Sequence, residues 1–186
     1  MLIDSDDLAI IEGVITLSGA FRREIIAEGV ESVAHGEMLL QLGCNLAQGY
    51  SIAKPMPAEM IDPWLKEYTP EILWQKTQQL RRDKITYLHA IVEHTAWAQK
   101  LLLHLEDPKN PAPQLNPFRC NFALWLDGHP DKERPEFKQV TKMHFELHHL
   151  SSKVLHSQGE ARAKEIEIFK ERSTLFLEEL RRLSQL

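Results

Sequence analysis

Cysteine is scarce in this chain. Only Cys44 and Cys120 occur among 186 residues, in unlike surroundings. That excludes a disulfide framework and points to a reducing, cytoplasmic compartment. Long apolar runs are missing too, and none approaches the roughly 20 residues of a membrane span. Positive charge is not in excess. A net charge of −5 and a pI near 6.0 leave no basic patch for nucleic acid and no pull towards a membrane surface. The acidic opening MLIDSDD lacks the layout of a signal peptide. Internal repeats and low-complexity stretches are absent. The remaining composition, 43% apolar and 26% charged, suits one or two small globular domains.

Histidine, by contrast, is plentiful: there are nine, most of them between His89 and His149. His144 and His148 stand four residues apart, which on a helix places both rings on one face. Phe137, Val140, His144, Leu147, Ser151 and Val154 or Leu155 step by three and four, so that face is also the buried one. Two histidines turned into a core suggest a metal ion with further ligands from upstream. His94 lies on the stripe Tyr87, Ile91, His94, Ala98 and Leu101 of an earlier helix. Cys120 lies in a short helix over residues 118–127, where Phe118, Phe122 and Trp125 are the expected anchors. Three imidazoles and a soft thiolate suit Zn2+ better than magnesium or calcium. Spacing alone leaves the plainer reading open, since such histidine pairs arise by chance and a lone buried cysteine is commonly a small hydrophobe. His35, His89, His104, His129, His149 and His156 are read as surface or loop residues, and Trp97 and Trp125 as core packing.

In residues 1–68 the pattern alternates. A helix carries Leu8, Ile11, Val14, Ile15 and Leu17. A short apolar run, Glu24 to Ala27, suits a strand. Ser32 can cap a second helix that Gly43 closes. Leu46 to Gln48 suits a second strand, and Pro57 opens a third helix. The order α, β, α, β, α implies parallel strands, yet two strands cannot close a barrel. The segment therefore reads as part of a larger α/β domain. Thr69 and Pro70 then open what should be one unbroken helix to about Leu105, a rigid connector. The histidine helix follows a short helix and proline-marked links, and a last helix carries Ile166, Phe169, Ser173, Phe176, Leu180 and Leu183. Three long helices and a short one make a four-helix bundle. The fold class expected is mainly α: a truncated α/β piece, then a connector and a bundle.

Residues 26–57 resemble the end of the EAL family of cyclic-di-GMP phosphodiesterases through Ala27-Glu28-Gly29-Val30-Glu31, Leu42-Gly43-Cys44, Gln48-Gly49-Tyr50 and Lys54-Pro55. The resemblance implies the last two strands of a modified TIM barrel, with cyclic-di-GMP as substrate and Mg2+ or Mn2+ as cofactor of a complete domain. It implies a water-activating role for Glu28, a loop-ordering role for Glu31 and a substrate and metal role for Gln48. The Glu-Ala-Leu signature and most of the family's metal ligands are not in this sequence. The expectation is therefore no hydrolysis by this chain alone, with Met1 an internal methionine of a longer protein.

A second resemblance covers residues 80–157. His94-Thr-Ala-Trp97, Cys120-Asn-Phe122-Ala-Leu-Trp125 and His144-x-x-x-His148 resemble the chemoreceptor zinc-binding family, with Ala123 where that family usually has glycine. It implies a four-helix bundle, often a homodimer, holding zinc through His94, Cys120, His144 and His148. Together the two resemblances imply a bacterial signalling protein with a remnant of an EAL domain over residues 1–68 and a zinc-sensing module over residues 69–186. Two rivals stay open: a structural dimerisation bundle with permanent zinc, and an active phosphodiesterase that needs a complementary chain.

Overall fold

Local signals set both ends of one helix. Ser32 stands just before a helical run and accepts the backbone N–H of His35 at 3.2 Å. Gly43 ends the same run in the left-handed conformation, φ 92°, and its N–H reaches the carbonyls of Leu39 and Leu40. In a computed structural model that describes residues 4–184, the chain is mainly helical. It divides into two compact units, Asp6–Arg82 and the residues from Asp83 onward.

The first unit contains α1 (Ser5–Ala20), α2 (Val33–Leu42), α3 (Ile61–Glu67) behind a 3-10 turn at Ala58–Met60, and α4 (Ile72–Lys76). Its small core gathers Val30, Leu39 and Cys44, with Ile11, Ile15 and Ile25 against them. The expected strands at Glu24–Ala27 and Leu46–Gln48 do not form as strands. The described residues contain no sheet, only one isolated parallel bridge between Ala27 and Ala47. The Ala27 N–H donates to Leu46 O at 2.9 Å, and the Gln48 N–H donates to Ala27 O at 2.8 Å. The runs are too short, with no further strand beside them, to extend this pairing into a ladder. They also cross tightly: a Cβ on Gly49 would overlap the Val30 backbone, so only glycine fits.

The single helix expected from Thr69 to Leu105 is broken. Residues 77–81 are not helical, and helix resumes through a 3-10 turn at Arg82–Lys84 into α5 (Ile85–Glu106). Tertiary hydrogen bonds explain the break. Trp74 Nε1 donates to Val33 O at 2.7 Å, and the Leu80 N–H donates to Gln41 O at 2.8 Å. Both dock this stretch on α2, and the Trp74 ring fills the space a Gly36 side chain would need. A continuous helix would forfeit both anchors.

The second unit holds α5, α6 (Asn121–Gly128), α7 (Pro135–His156) and α8 (Gly159–Ser184). Pro135 sits in the first turn of α7, where its missing N–H costs nothing. The stripe Phe137, Val140, His144, Leu147, Ser151 and Val154 is buried throughout, and α8 buries Phe169, Ser173, Phe176, Leu180 and Leu183. These faces meet α5 in one core with Leu101 and Phe122. Phe118 departs from expectation: it precedes α6 and is 71% exposed, so Phe122 anchors that helix. No helix among the described residues is long and apolar enough to cross a membrane.

Phe176 is fully buried, with its ring centroid 5.1 Å from Phe122 and 4.4 Å from His94. Truncation to alanine should cost about 3–5 kcal/mol, the usual range for a core phenylalanine. Urea unfolding of Phe176→Ala checks this, and a loss under about 1 kcal/mol would contradict its core position.

Candidate metal centre

The second unit carries its chemistry inside its core. His144 and His148, one turn apart on α7, bring their ring centroids to 4.6 Å. Cys120 stands just before the first turn of α6, with its Sγ 3.2 Å from His144 Nε2. One donor atom from each of Cys120, His144 and His148 lies within 4.8 Å of the others. His94 of α5 approaches the same cluster, its ring centroid 5.9 Å from that of His144, but its donor atoms are not within that group of three. The structure thus gathers three of the four expected ligands and places the fourth beside them.

The hydrogen bonding is incomplete in a telling way. His148 Nδ1 faces Leu115 O at 2.8 Å, so Nδ1 carries the proton and Nε2 keeps its lone pair. That Nε2 is buried without a partner, as are both ring nitrogens of His94. Leaving a buried polar atom unpaired costs about 1–3 kcal/mol. A cation shared by these donors would offset that cost. Nitrogen and sulfur donors that reach it from separate segments suit a tetrahedral metal site. The Leu115 carbonyl does what outer partners of ligating histidines do, holding the tautomer and the ring. Trp97 fixes the loop that supplies this carbonyl: its Nε1 donates to Gln114 O at 2.8 Å, and its ring lies 4.4 Å from His148. A backbone acceptor has no residue signature, so no pattern in the sequence marks Leu115.

Burial controls the protonation of the cluster. It drives the His94 pKa well below the usual imidazole value, with added repulsion from His144 and His148. Burial, then His148, lowers His144 to about 3. His148 is lowered by burial, against the opposing pull of Leu115. All three are neutral near pH 7, the form that ligates. Burial pushes the Cys120 thiol up, and the backbone N–H groups of Ala123 and Phe122 pull it back down. Those donors offset only part of the rise, and the thiol stays above its ordinary value.

Elsewhere, Gln48 Nε2 donates to Glu28 Oε1 at 3.1 Å, so two residues of the EAL-like motif meet on an exposed surface. Glu31 is exposed, apart from that pair. Cys44 is buried in the first core, and its thiol reaches Leu46 O at 3.4 Å. Not every remaining histidine is at the surface. His129, read as a surface or loop residue, lies in the link after α6, half-buried with its Nε2 3.2 Å from the Tyr87 hydroxyl.

Metal-free protein should be acid-labile. Above pH 6.5, the ordinary imidazole value, these histidines are neutral in folded and unfolded chains alike. Below it the unfolded chain takes up protons that the folded chain refuses. Stability therefore falls as the pH drops from about 6.5 towards 3, by up to roughly 1.4 kcal/mol per pH unit for each fully buried imidazole. Urea midpoints at pH 8, 7, 6 and 5 with chelator present measure this, and a flat profile between pH 7 and 5 would contradict it.

Comparison with known proteins bears on the first unit. The family model described as EAL domain matches residues 1–55. Over 58 residues the chain is 47% identical to the bifunctional diguanylate cyclase/cyclic di-GMP phosphodiesterase MucR of Pseudomonas aeruginosa, covering 31% of this chain and 8% of that protein. It is 37% identical over 60 residues to the cyclic di-GMP phosphodiesterase PdeR of Escherichia coli, covering 32% and 9%. It is 43% identical over 51 residues to the cyclic di-GMP phosphodiesterase RocR of Pseudomonas aeruginosa, covering 27% and 13%. The chain thus spans no more than 13% of the length of these three relatives. No solved structure matches. Residues 1–55 therefore carry EAL-domain sequence, similar to the corresponding stretch of cyclic di-GMP phosphodiesterases.

Proposed function

We propose that this chain is part of a cyclic-di-GMP signalling protein, in which a zinc-binding helical module regulates an EAL phosphodiesterase domain. Residues 1–68 are the end of that EAL domain in this reading, the parallel bridge at Ala27 and Ala47 belonging to its barrel wall. Residues 69–186 are the module, a four-helix bundle built on α5 to α8. The observation that carries the reading is the convergence of Cys120, His144 and His148, with the unpaired nitrogens of His94 and His148 beside them.

Zn2+ would be held by His94, Cys120, His144 and His148, and when bound it supplies a cross-link between α5, α6 and α7. The protein's own part is to keep three imidazoles neutral, to orient His148 through the Leu115 carbonyl, and to lower the cost of a Cys120 thiolate at the start of α6. Four protein ligands leave no position for a reactive water, so the role is regulatory rather than catalytic. The burial of the cluster under Trp97 and Phe176 also suits a permanent structural zinc, in which case the bundle would serve as a homodimerisation module. Glu28, Glu31 and Gln48 serve catalysis only within a complete domain that supplies Mg2+ or Mn2+ ligands.

Elemental analysis of the purified chain should find about one zinc per chain, lost or sharply reduced in Cys120→Ser and His144→Ala but kept in His149→Ala. Zinc in excess of its dissociation constant by about 100-fold should stabilise the folded chain by about 2.7 kcal/mol. A regulatory site should alter hydrogen exchange in residues 24–52 when zinc is removed; a permanent structural site should leave it unchanged. Cyclic-di-GMP hydrolysis by this chain with Mg2+ or Mn2+ should not exceed background, and turnover would overturn the reading that catalysis needs a complete domain.

A further inference from the structure

The link from α5 to α6 runs through residues 107–120 without a helix or strand of its own. Connections of this length inside a compact unit are uncommon and usually functional. Pro108, Pro111, Pro113 and Pro117 remove backbone donors from it. Of the side chains between Asp107 and Arg119, only Pro113 is buried. The first end is tied to α5: Asn110 Nδ2 donates to Leu103 O at 3.0 Å, and His104 Nδ1 lies 2.7 Å from Asn110 O. Gln114 Oε1 and Asn116 Oδ1 accept the N–H groups of Asn116 and Phe118, bonds that shape the link without tying it down. Among the described residues, the backbone of residues 111–115 reaches the helices through two hydrogen bonds, from Trp97 Nε1 to Gln114 O and from His148 Nδ1 to Leu115 O, each at 2.8 Å. The far end of the link is Cys120.

Each polar anchor beyond Asn110 is therefore a candidate zinc ligand or touches one. The Trp97 ring centroid lies 4.9 Å from that of His94 and 4.4 Å from that of His148. We propose that this strap and the metal are thermodynamically coupled, with Trp97 a positioning residue that acts on zinc through Gln114 and Leu115. The proposal rests on the zinc reading above and names how that site is tuned. A cation on His148 Nε2 draws electron density from the ring, so its Nδ1–H donates more strongly to Leu115. A carbonyl held in place in turn fixes the ring and makes the free nitrogen a better ligand. A cation on Cys120 pins the end of the strap. Whatever holds the strap then raises zinc affinity, and zinc favours the held strap by the same factor. Core packing accounts for the Trp97 ring. It does not account for the indole N–H, which sits at an exposed edge open to water and is given to Gln114 instead.

Zinc competition with a chromogenic chelator and hydrogen exchange over residues 114–119, both on the intact chain, test this. Trp97→Phe keeps a ring and loses the N–H. It should weaken zinc at least about tenfold, as loss of an outer partner does, while still taking up about one zinc per chain at saturation. Pro111→Gly with Pro117→Gly removes no ligand and no hydrogen bond. It should weaken zinc about fivefold, because a looser strap has more freedom to lose. Zinc should slow exchange across residues 114–119 in the wild-type chain, and less so in Trp97→Phe. Wild-type affinity in both variants overturns the coupling, as does strap exchange indifferent to bound zinc. Weakening in Trp97→Phe alone marks a packing role and also overturns it, whereas weakening in the proline variant alone removes Trp97 from the path. A chain that takes up no zinc fails the zinc reading itself, which elemental analysis shows before either variant is made.

Discussion

Burying imidazole nitrogen among phenylalanines is the constraint from which the second unit follows. His94, His144 and His148 are each at most 3% exposed, in a core that also contains Phe122, Phe169 and Phe176. Apolar surroundings reject charge, so the rings stay neutral and keep lone pairs that water cannot reach. One nitrogen finds the Leu115 carbonyl and one finds the Cys120 thiol, while three remain unpaired. A core that tolerates this has a use for those lone pairs. The helices are arranged accordingly: α5 and α7 present histidines inwards, the start of α6 presents sulfur, and α8 closes the cluster with Phe176.

The first unit is organised differently. Its core is small, and several of its large apolar side chains face outwards. Its EAL-like residues fall on loops and on the two extended runs rather than on a sheet. Glu28 and Gln48 meet at the surface, where water screens them. Chemistry in this unit needs neighbours, whereas chemistry in the second is enclosed by its own helices.

Periodicity made the buried faces of α7 and α8 legible before any coordinates. A stripe stepping by three and four has one way to hide from water, and Phe137 to Val154 hides in that way. Cap residues were legible for a similar reason: Ser32 and Gly43 satisfy backbone groups within their own helix. The unbroken helix from Thr69 was a misreading because its helical propensity is weak compared with hydrogen bonds from Trp74 and Leu80 to residues far away in sequence. The two strands were a misreading because a strand exists only by virtue of its neighbours, and here each run has one. Phe118 was assigned to the core on its apolar character, while the start of α6 at Asn121 leaves it outside.

By itself, then, the sequence determined which side chains could serve as donors and which helix faces they would share, because both depend on residues a few positions apart. Only tertiary structure decided that Cys120 meets His144, that His94 stands near but outside the group of three, and that a loop carbonyl holds His148. Those meetings join residues separated by 24 and 33 positions, where no helical period reaches and only packing sets the distance.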